Sequence, residues 1–358
     1  MCEFRLLSAA EQVAARLRED ILRGNLNGKS PGVHRLAAEF GVHRTTAEEA
    51  LRLLGNEGLL MPQGAGRCRR IVLPKDFTPP ALRVKILHYQ ETDRTLSYVL
   101  DFQHRLMEAG HAVGFTPKNL LDLDMDVKRV ARMVNETKAD AWVVFAGPRG
   151  VLEWFADQPV PSFAVFGRRS GVRIAGTGPD KLPALLVATR RLIALGHRKI
   201  VMLLREEQRK PQPGPFARAF LDELEMRGLT TSSYNLPDWE DSAVGFRRCL
   251  DSLFRITPPS ALILDEAFLF NLAQHHLARR GALAPEHVSL VCSDPDPAFS
   301  WAHPSVAHIR WESRQVVRRV VQWADNVARG KDDRQQTSIK AEFIEGGTIG
   351  PAQGISHL

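Results

Sequence analysis

Most of the chain alternates short apolar runs with longer amphipathic ones. Apolar runs of five to seven residues predict strands at 84–89, 112–116, 140–146, 161–167, 199–204, 261–265, 288–294 and 306–310. Apolar positions at helical spacing between these runs predict helices at 96–109, 126–137, 181–195, 215–228, 241–255, 267–280 and 312–329. This alternation, with several strands apolar throughout, favours an α/β fold built on parallel strands. The number of strands favours two open sheets, and such sheets bind ligands beyond the carboxyl ends of their strands.

The first 73 residues follow a different pattern, that of a helix, a turn and a second helix. The inner stripe of the first helix is formed by Leu36, Ala37 and Phe40, and Gly41 supplies the turn. The inner stripe of the second helix is formed by Ala47, Ala50, Leu51 and Leu54. The exposed start of that helix is then His43, Arg44, Thr45 and Thr46. Helix-turn-helix proteins place such residues against the edges of the major groove, and the amides of a helix start also bind phosphate.

A Gly-rich tip, residues 62–66, follows between two short segments, 59–61 and 67–72. Two strands around such a tip make a wing, and the second strand carries Arg67, Arg69 and Arg70 with no acidic residue among them. Prolines at 74, 79 and 80 then forbid a continuous helix and favour extended chain. We therefore expect a DNA-binding domain at 1–73, a Pro-rich linker at 74–81, an α/β domain at 82–351 and a tail at 352–358.

Composition narrows the class of protein further. The 358 residues include 48 Lys and Arg against 41 Asp and Glu, a net charge of +7, which permits an acidic partner such as nucleic acid. Residues 1–73 carry only +3, so few phosphates are neutralised per copy and useful affinity requires a dimer on a two-fold site. No apolar run approaches the roughly 18–20 residues of a membrane span, and the four cysteines lack CxxC spacing. We expect a cytoplasmic protein with reduced thiols that does not bind membranes.

The sequence lacks the common catalytic motifs. It has no GxGxxG after a strand, no P-loop, no GxSxG and no HExxH. The adjacent pair His275 and His276 would leave a helix about 100° apart and could not readily share a metal. We expect no catalytic site, no cofactor and no metal.

Specific segments of the N-terminal region carry a family resemblance. QVAARLREDILRGNL (12–26), LAAEFGV, HRTTAEEAL, NEGLL and the GAGR tip together resemble the winged-helix domain of the GntR family of bacterial transcription factors, over residues 8–72. The resemblance implies that Arg44, Thr45 and Thr46 approach DNA and that Gly64 and Gly66 let the wing enter or skirt the minor groove. The full set of DNA-contact candidates is His34, Arg35, His43, Arg44, Thr45, Thr46, Glu48, Gly64, Gly66 and Arg67.

Two positions depart from the pattern of that family. It usually carries Arg where this chain has His34, with Arg35 one place later, and Arg where this chain has Glu48. Because a carboxylate repels phosphate, Glu48 either reads a cytosine amine, pairs with Arg52 at i+4, or faces away from the groove. The operator sequence therefore cannot be taken from relatives.

The sensor region carries a second resemblance, in segments 192–204, 215–229, 236–246, 259–297 and 342–351. These segments resemble the effector-binding domain of the LacI family, a two-lobed fold shared with periplasmic sugar-binding proteins, and the resemblance extends over 82–351. The whole chain resembles the GntR–LacI hybrid regulators. The implied fold class is α/β, with an N-terminal winged helix-turn-helix and a two-lobed, Rossmann-like periplasmic-binding-protein-like sensor domain.

The resemblance also implies effector-binding positions. They are Asp265 and Asp294 at strand ends and Trp239 in the DWEDSA loop, with Tyr89, Phe145 and Arg168 facing them from the other lobe. The arginine with which many relatives grip the ligand falls on Gln212, and Arg209 or Lys210 could compensate. Carboxylates accept hydrogen bonds from ligand hydroxyls, and an aromatic face covers the apolar side of a sugar ring. The structural alternatives are that the two aspartates cap a helix or turn and that Trp239 packs within its lobe.

The sequence thus predicts a DNA-binding transcription regulator that acts as a homodimer on a double-stranded operator, with repression favoured. Its effector would be small and carbohydrate-like, bound in the cleft between the lobes. Two other functions stay open. The first is a cytosolic ligand-binding protein whose winged helix contacts another protein, which salt-dependent retention on DNA would distinguish. The second is an enzyme of unrecognised type, which turnover assays would reveal.

Overall fold

The computed structural model describes residues 7–22, 26, 28–64, 67–73 and 80–352. Most of the expected linker and tail therefore lies outside the described residues. The chain divides into two compact units: unit 1 holds residues up to Thr177 together with Arg314–Thr337, and unit 2 holds Gly178–Ser313 together with residues from Ser338 onward. The chain thus passes from one unit to the other three times.

The N-terminal part of unit 1 is a small helical module with a two-stranded ladder. Its elements are α1 (Ala9–Leu22), α2 (Val33–Phe40), α3 (Arg44–Asn56), β1 (Leu60–Met61) and β2 (Arg70–Ile71). Leu17, Leu36, Leu54 and Leu60 are among the side chains of its core, each at most 2% exposed. β1 pairs antiparallel with β2, as the wing pattern predicted. The predicted inner stripe of α3 is confirmed, since all four of its members are buried.

The remaining elements form the sensor region. Its strands are β3 (Arg83–Leu87), β4 (Ala112–Phe115), β5 (Ala141–Phe145), β6 (Ser162–Val165), β7 (Ala175–Asp180), β8 (Ile200–Leu203), β9 (Ala261–Leu264), β10 (Ser289–Cys292), β11 (Ala307–Trp311) and β12 (Gln336–Ile344). Its helices are α4 (Ser97–Glu108), α5 (Val127–Glu136), α6 (Arg149–Ala156), α7 (Leu182–Ala194), α8 (Glu206–Arg209), α9 (Pro215–Met226), α10 (Ala243–Ile256), α11 (Ala267–Ala278) and α12 (Ser313–Ala328).

The sheet of unit 1 is parallel, with the strand order β4-β3-β5-β6-β7. Trp142, Val144 and Ala164 lie in one of its cores, where α5 and α6 cover the sheet. Trp323 of α12 packs on Phe163 of β6, with ring centroids 5.3 Å apart. Layers of helix on a parallel sheet are what the uninterrupted apolar strands predicted.

The sheet of unit 2 has the order β8-β9-β10-β11-β12, parallel except for the antiparallel pair β11 and β12. Helices α10 and α11 bury Phe246, Leu250 and Phe270 against it. β12 begins in unit 1 and continues in unit 2.

Every strand and helix expected in the sensor region is present, with ends shifted by one or two residues. Four elements were not expected: β7, β12, α6 and α8. β7 reads AGTGPD, whose small residues give no strand pattern although its first four are buried. β12 alternates charged and apolar residues around Lys340 and Glu342, and its pairing with β11 fixes it as a strand. Tertiary pairing, more than local propensity, decides such segments.

Candidate DNA-binding surface and effector site

The start of α3 is held by the turn before it and the core beneath it. Gly41 ends α2 in the left-handed region at φ +62°, which a side chain would strain. His43 then precedes α3 in an extended conformation, and no side chain caps the helix start there. First-turn amides without a side-chain cap are open to an external phosphate.

The residues predicted to approach DNA lie at the surface of this module. His43, Arg44 and Thr45 are exposed and Thr46 is half-buried, while His34 and Arg35 are exposed on α2. His43 Nδ1 lies 3.0 Å from the Thr45 hydroxyl oxygen. Exposed polar side chains at the start of the second helix are the arrangement that major-groove recognition requires.

Both arginines of α3 are paired with glutamates of the same helix. Arg44 Nε donates to Glu48 Oε1 at 2.9 Å, and Arg52 Nη2 donates to Glu49 Oε1 at 2.6 Å. Glu48 therefore pairs with Arg44, and not with Arg52 as one of the three possibilities from the sequence had it. The geometric reason is that Glu49, one turn before Arg52, takes that guanidinium instead. Glu48 thus lies beside the leading DNA-contact candidate.

The wing has one more strand pairing than the sequence suggested. Lys29 pairs antiparallel with Arg70, and the Ser30 amide donates to the Arg69 carbonyl at 2.8 Å, so residues 28–30 flank β2 on its second side. Arg67 and Gly64 are exposed, and Gly64 has φ +108°. Gly66 lies outside the described residues. The wing therefore presents basic side chains on a braced ladder.

In unit 2, the two predicted aspartates follow neighbouring strands and serve different partners. Asp265 follows β9, is 3% exposed, and its Oδ1 accepts from the Ser293 hydroxyl at 3.2 Å. Its Oδ2 accepts from the Gln208 side chain. Asp294 follows β10, and its Oδ1 accepts from Trp311 Nε1 at 3.0 Å. Neither carboxylate caps a helix, whereas Asp296 does cap the 3₁₀ helix Pro297–Trp301.

A lysine that the sequence did not single out joins this pair. Lys181 Nζ lies 2.7 Å from Asp294 Oδ1, with the two side chains 20% and 26% exposed. Burial would lower the pKa of Lys181, but the carboxylates of Asp294 and Asp265 outweigh it and raise that pKa. Burial raises the pKa of Asp265 to about 7, against the opposing effect of Lys181. The cluster is a partly exposed ammonium–carboxylate pair next to a buried carboxyl group.

The loop after β8 does not offer the compensating cation that the sequence suggested. Gln212 is exposed, whereas the Arg209 side chain is 3% exposed and contacts Asp238 and the Trp239 carbonyl. Lys210 Nζ pairs with Asp238 Oδ2 at 2.9 Å. Trp239 is 6% exposed in the core of unit 2, with Arg209 stacked 5.3 Å over its ring. In this conformation Trp239 packs within its lobe, which is the alternative to effector binding that the sequence left open for that residue.

Arg205, which follows β8, forms a second buried network that the sequence did not indicate. Its Nη1 donates to Asp241 at 2.5 Å and its Nη2 to Glu266 at 3.0 Å. Burial opposes the charged guanidinium, yet the two carboxylates keep the pKa of Arg205 raised. A basic residue after a strand, followed three dozen positions later by an acid in a loop, is too common a pattern to signal such a network.

In unit 1, aromatic side chains gather where β5 and β6 end. Phe145 is 2% exposed and stacks at 6.4 Å on half-buried Tyr98, while half-buried Phe166 meets it edge-on at 6.0 Å. Phe166 adopts φ +62°, a strained conformation for a non-glycine residue. Arg168 is half-buried, and Tyr89 is 4% exposed. The rings available to a ligand here are therefore Tyr98 and Phe166, rather than Phe145.

No group of three or more His, Cys, Asp or Glu side chains in the described ranges could hold a metal ion. No described helix is both long and apolar enough to cross a bilayer.

Comparison with known proteins matches both parts of the chain to family models. Residues 9–69 match the model for bacterial regulatory proteins of the gntR family. Residues 189–349 match a periplasmic binding protein-like domain. A comparison with curated proteins gave no match.

Solved structures similar to this chain are LacI-type regulators. A LacI-type transcription regulator from Bifidobacterium animalis subsp. lactis is 18% identical, with TM-score 0.61, over 75% of this chain and 99% of that one. A LacI family regulator from Enterococcus faecium with bound ribose is 14% identical, with TM-score 0.60, over 76% and 100%. The lac repressor dimer bound to operator and an anti-inducer is 14% identical, with TM-score 0.58, over 76% and 95%. At these identities the likeness shows the fold.

The winged-helix module and the sensor region together define a bacterial transcription regulator. More closely, the chain joins a GntR-family domain to a periplasmic binding protein-like domain, and the fold of its sensor region is that of the LacI-type regulators. Both family resemblances and the expected fold class are confirmed.

Proposed function

We propose that the chain is a cytoplasmic repressor that binds a two-fold operator as a homodimer and changes its DNA affinity when a small polar effector binds. The observation that supports the DNA-binding part is the exposed, uncapped start of α3 carrying Arg44 and Thr45, together with an arginine-bearing wing. Phosphate contacts position such a module, and base contacts supply the specificity. A change in coupling free energy of about 1–3 kcal/mol would alter DNA affinity some 5–150-fold.

The DNA-binding proposal is tested by selecting duplexes from a random pool with the full chain. Fluorescence anisotropy then compares the selected and a scrambled duplex over a salt series. We expect tight binding of the selected duplex, and a log–log salt slope that reports the number of phosphates neutralised. Equal affinity for both duplexes at low salt would contradict the proposal and favour the protein-contact function. A reporter gene behind the selected site separates repression from activation.

For the effector, we propose that Asp294, Asp265 and Lys181 of unit 2 bind a polyhydroxylated ligand, and that Tyr98, Phe166 and Arg168 of unit 1 are a second group of effector contacts. The support is that Lys181 and Asp294 are partly exposed at strand carboxyl ends, where open α/β sheets bind ligands. Lys181 would provide the positively charged ligand contact that many relatives make with an arginine at the position of Gln212. An ammonium donates and a carboxylate accepts, so the pair matches the two hydrogen-bonding roles of a hydroxyl group.

The effector site is tested by screening neutral sugars and polyols for thermal stabilisation of the full chain and for release of its operator. Asp294→Ala and Lys181→Met should each abolish the response to an active compound while leaving operator affinity unchanged. Asp296→Ala is the matched control, because it removes a carboxylate of the same loop whose role is to cap a 3₁₀ helix. An undiminished response in the first two variants would refute the assigned residues.

The homodimer is supported by exposed aromatic side chains on unit 2. Trp301 is 90% exposed and Phe268 is 56% exposed, and the elements that carry them are joined by Phe270 and Phe299, whose ring centroids lie 5.4 Å apart. Exposed large apolar side chains on adjacent elements can form the kind of patch at which proteins associate, whereas a single exposed apolar residue is ordinary. Trp301→Ser should shift the sedimentation of the chain from dimer toward monomer, whereas Met226→Ser, an apolar residue 71% exposed on α9, should not. Identical sedimentation of both variants would remove Trp301 from the interface.

A further inference from the structure

A small cavity lies in unit 1, at the amino ends of β6 and β7. It encloses about 70 Å³ and is bounded by the last turns of α6 and α12, by the segment 158–161 before β6 and by the loop 331–334 before β12. Phe166 and Arg168, which are proposed effector contacts, follow the carboxyl end of β6. Because β6 and its neighbours are parallel, the cavity lies at the opposite edge of the sheet from those contacts.

The inner wall of the cavity is apolar. Phe155 and Trp323 are each 1% exposed and Ile174 is 2% exposed. Protein interiors contain few voids larger than one water molecule, so open space beside three buried apolar side chains departs from ordinary packing. One water occupies roughly 10–15 Å³ of such space, which leaves room for about five waters or for a ligand of about five heavy atoms. An apolar wall leaves water short of hydrogen-bond partners, so the hydrocarbon end of a ligand fits it better.

The rim of the cavity, formed by Arg173 and residues 331–334, carries two acidic residues that are already paired. Asp333 accepts from Arg319 through both carboxylate oxygens, at 3.0 and 2.7 Å. Asp332 Oδ1 accepts from Arg334 Nε at 2.8 Å. Neither carboxylate is therefore left to attract a cationic ligand.

Two cations of the rim have no acidic partner among the described residues. Arg173 is exposed, and its side chain makes no hydrogen bond or ion pair with the described part of the chain. Lys331 Nζ lies 3.4 Å from the amide oxygen of Asn326, a neutral group. Surface cations are commonly left to solvent, and the apolar cavity beside these two distinguishes them. A carboxylate matches this rim, because a guanidinium binds it in a bidentate manner and an ammonium adds a further charged donor.

We propose that this cavity binds a short aliphatic monocarboxylate, of the size of propionate, at a site separate from the effector contacts. The carboxylate lies at Arg173 and Lys331, and the hydrocarbon end lies against Trp323 and Ile174. A cavity of about 150 Å³ holds benzene, so a cavity of about 70 Å³ excludes an aromatic acid. The apolar wall offers no partners for the hydroxyl groups of a sugar, which would lose their hydrogen bonds to water there.

The proposal is tested by saturation-transfer NMR titrations of the full chain at neutral pH and low ionic strength. The probes are propionate, its uncharged isostere propionamide, and benzoate. Arg173→Gln removes a cation of the rim, and Ala156→Leu places a larger side chain at the wall of the cavity. The matched control is Arg132→Gln, which makes the same change at an exposed position of α5 outside the lining. Circular dichroism checks that each variant is folded.

We expect propionate to bind with a dissociation constant between about 3 µM and 10 mM, where the ceiling on binding energy per heavy atom sets the lower limit. Propionamide should bind at least tenfold more weakly, because it lacks the charge that the rim recognises, and benzoate should give no signal. Arg173→Gln should weaken propionate binding at least fivefold and Ala156→Leu at least tenfold, whereas Arg132→Gln should change it less than twofold.

Four results would overturn the proposal: no propionate signal at about 10 mM, equal affinity for propionate and propionamide, equal losses in Arg173→Gln and Arg132→Gln, or unchanged binding in Ala156→Leu. These titrations contain neither DNA nor a sugar, so their outcome is independent of the proposed function.

Discussion

The replacement of Arg44 by alanine isolates the contribution of the α3 start to operator recognition. Arg44 is 60% exposed and paired only with Glu48 among the described side chains. An exposed i, i+4 pair of this kind is worth about 0.3–0.5 kcal/mol. Contact of an arginine with a base edge is worth about 1–3 kcal/mol, so Arg44 can exchange Glu48 for DNA at a net gain.

The magnitude expected for the operator follows from two copies per site. Arg44→Ala should cost a homodimer about 2–6 kcal/mol, which weakens specific binding roughly 30-fold to 25,000-fold. Binding to a scrambled duplex should weaken far less, because that binding depends on phosphate contacts made elsewhere in the module. The specificity ratio, which is the affinity for the selected duplex divided by that for the scrambled duplex, should therefore fall sharply.

Arg52→Ala supplies the matched control. Arg52 has the same side-chain exposure of 60%, the same helix and an equivalent glutamate partner, Glu49. It lies about two turns further from the helix start, about 12 Å along the axis. Anisotropy titrations of both variants against the selected and scrambled duplexes give the two ratios. A specificity ratio in Arg44→Ala equal to that in Arg52→Ala would refute the assignment of base recognition to Arg44.

Two further substitutions test the charges. Glu48→Gln frees Arg44 and removes a carboxylate near phosphate, so it should tighten binding to every duplex. Selection of duplexes with this variant checks the alternative. Loss of the preference for one particular base would show that Glu48 reads that base. Glu223 is 1% exposed between Arg190 and Arg227, and the hydrogen bond from Arg190 leads the effects that lower its pKa from 4.5 to about 2. The pKa of Glu223 is lower in the folded state than in the unfolded one, so its ionised carboxylate stabilises the fold above about pH 4.5. This stabilisation is lost as the pH falls toward 2. The loss in the free energy of unfolding is about 1–3 kcal/mol after allowance for the half-exposed arginines. Urea unfolding at pH 7 and pH 3 should show that Glu223→Gln removes much of this pH dependence, and an unchanged dependence would contradict it.

The helix-turn-helix could be predicted from sequence because its determinants are local. The apolar spacing of α3 and the glycine before it fix which residues face inward, and the exposed start follows from that alone. The pairing of residues 28–30 with β2 was not predicted, because a strand made by a backbone ladder needs no apolar pattern.

The proposed effector site was predicted less completely. Asp265 and Asp294 follow apolar strands, a pattern that one sequence displays. Lys181 is more than 100 residues from Asp294, and no spacing along the chain indicates that the two charges lie 2.7 Å apart. For Trp239 and Arg209 the residue types suggested contact with a ligand, but both side chains are buried in unit 2.

The sequence by itself determined the alternation of elements, the inner face of each helix and the chemical character of the exposed start of α3. These depend on the burial of apolar side chains at helical or strand spacing, which is a property of neighbouring positions. The tertiary structure decided which distant charges meet: Lys181 with Asp294, and Arg205 with Glu266. Charges at a surface or strand end need no pattern along the chain, so only the packing of the strands and helices that carry them sets their partners.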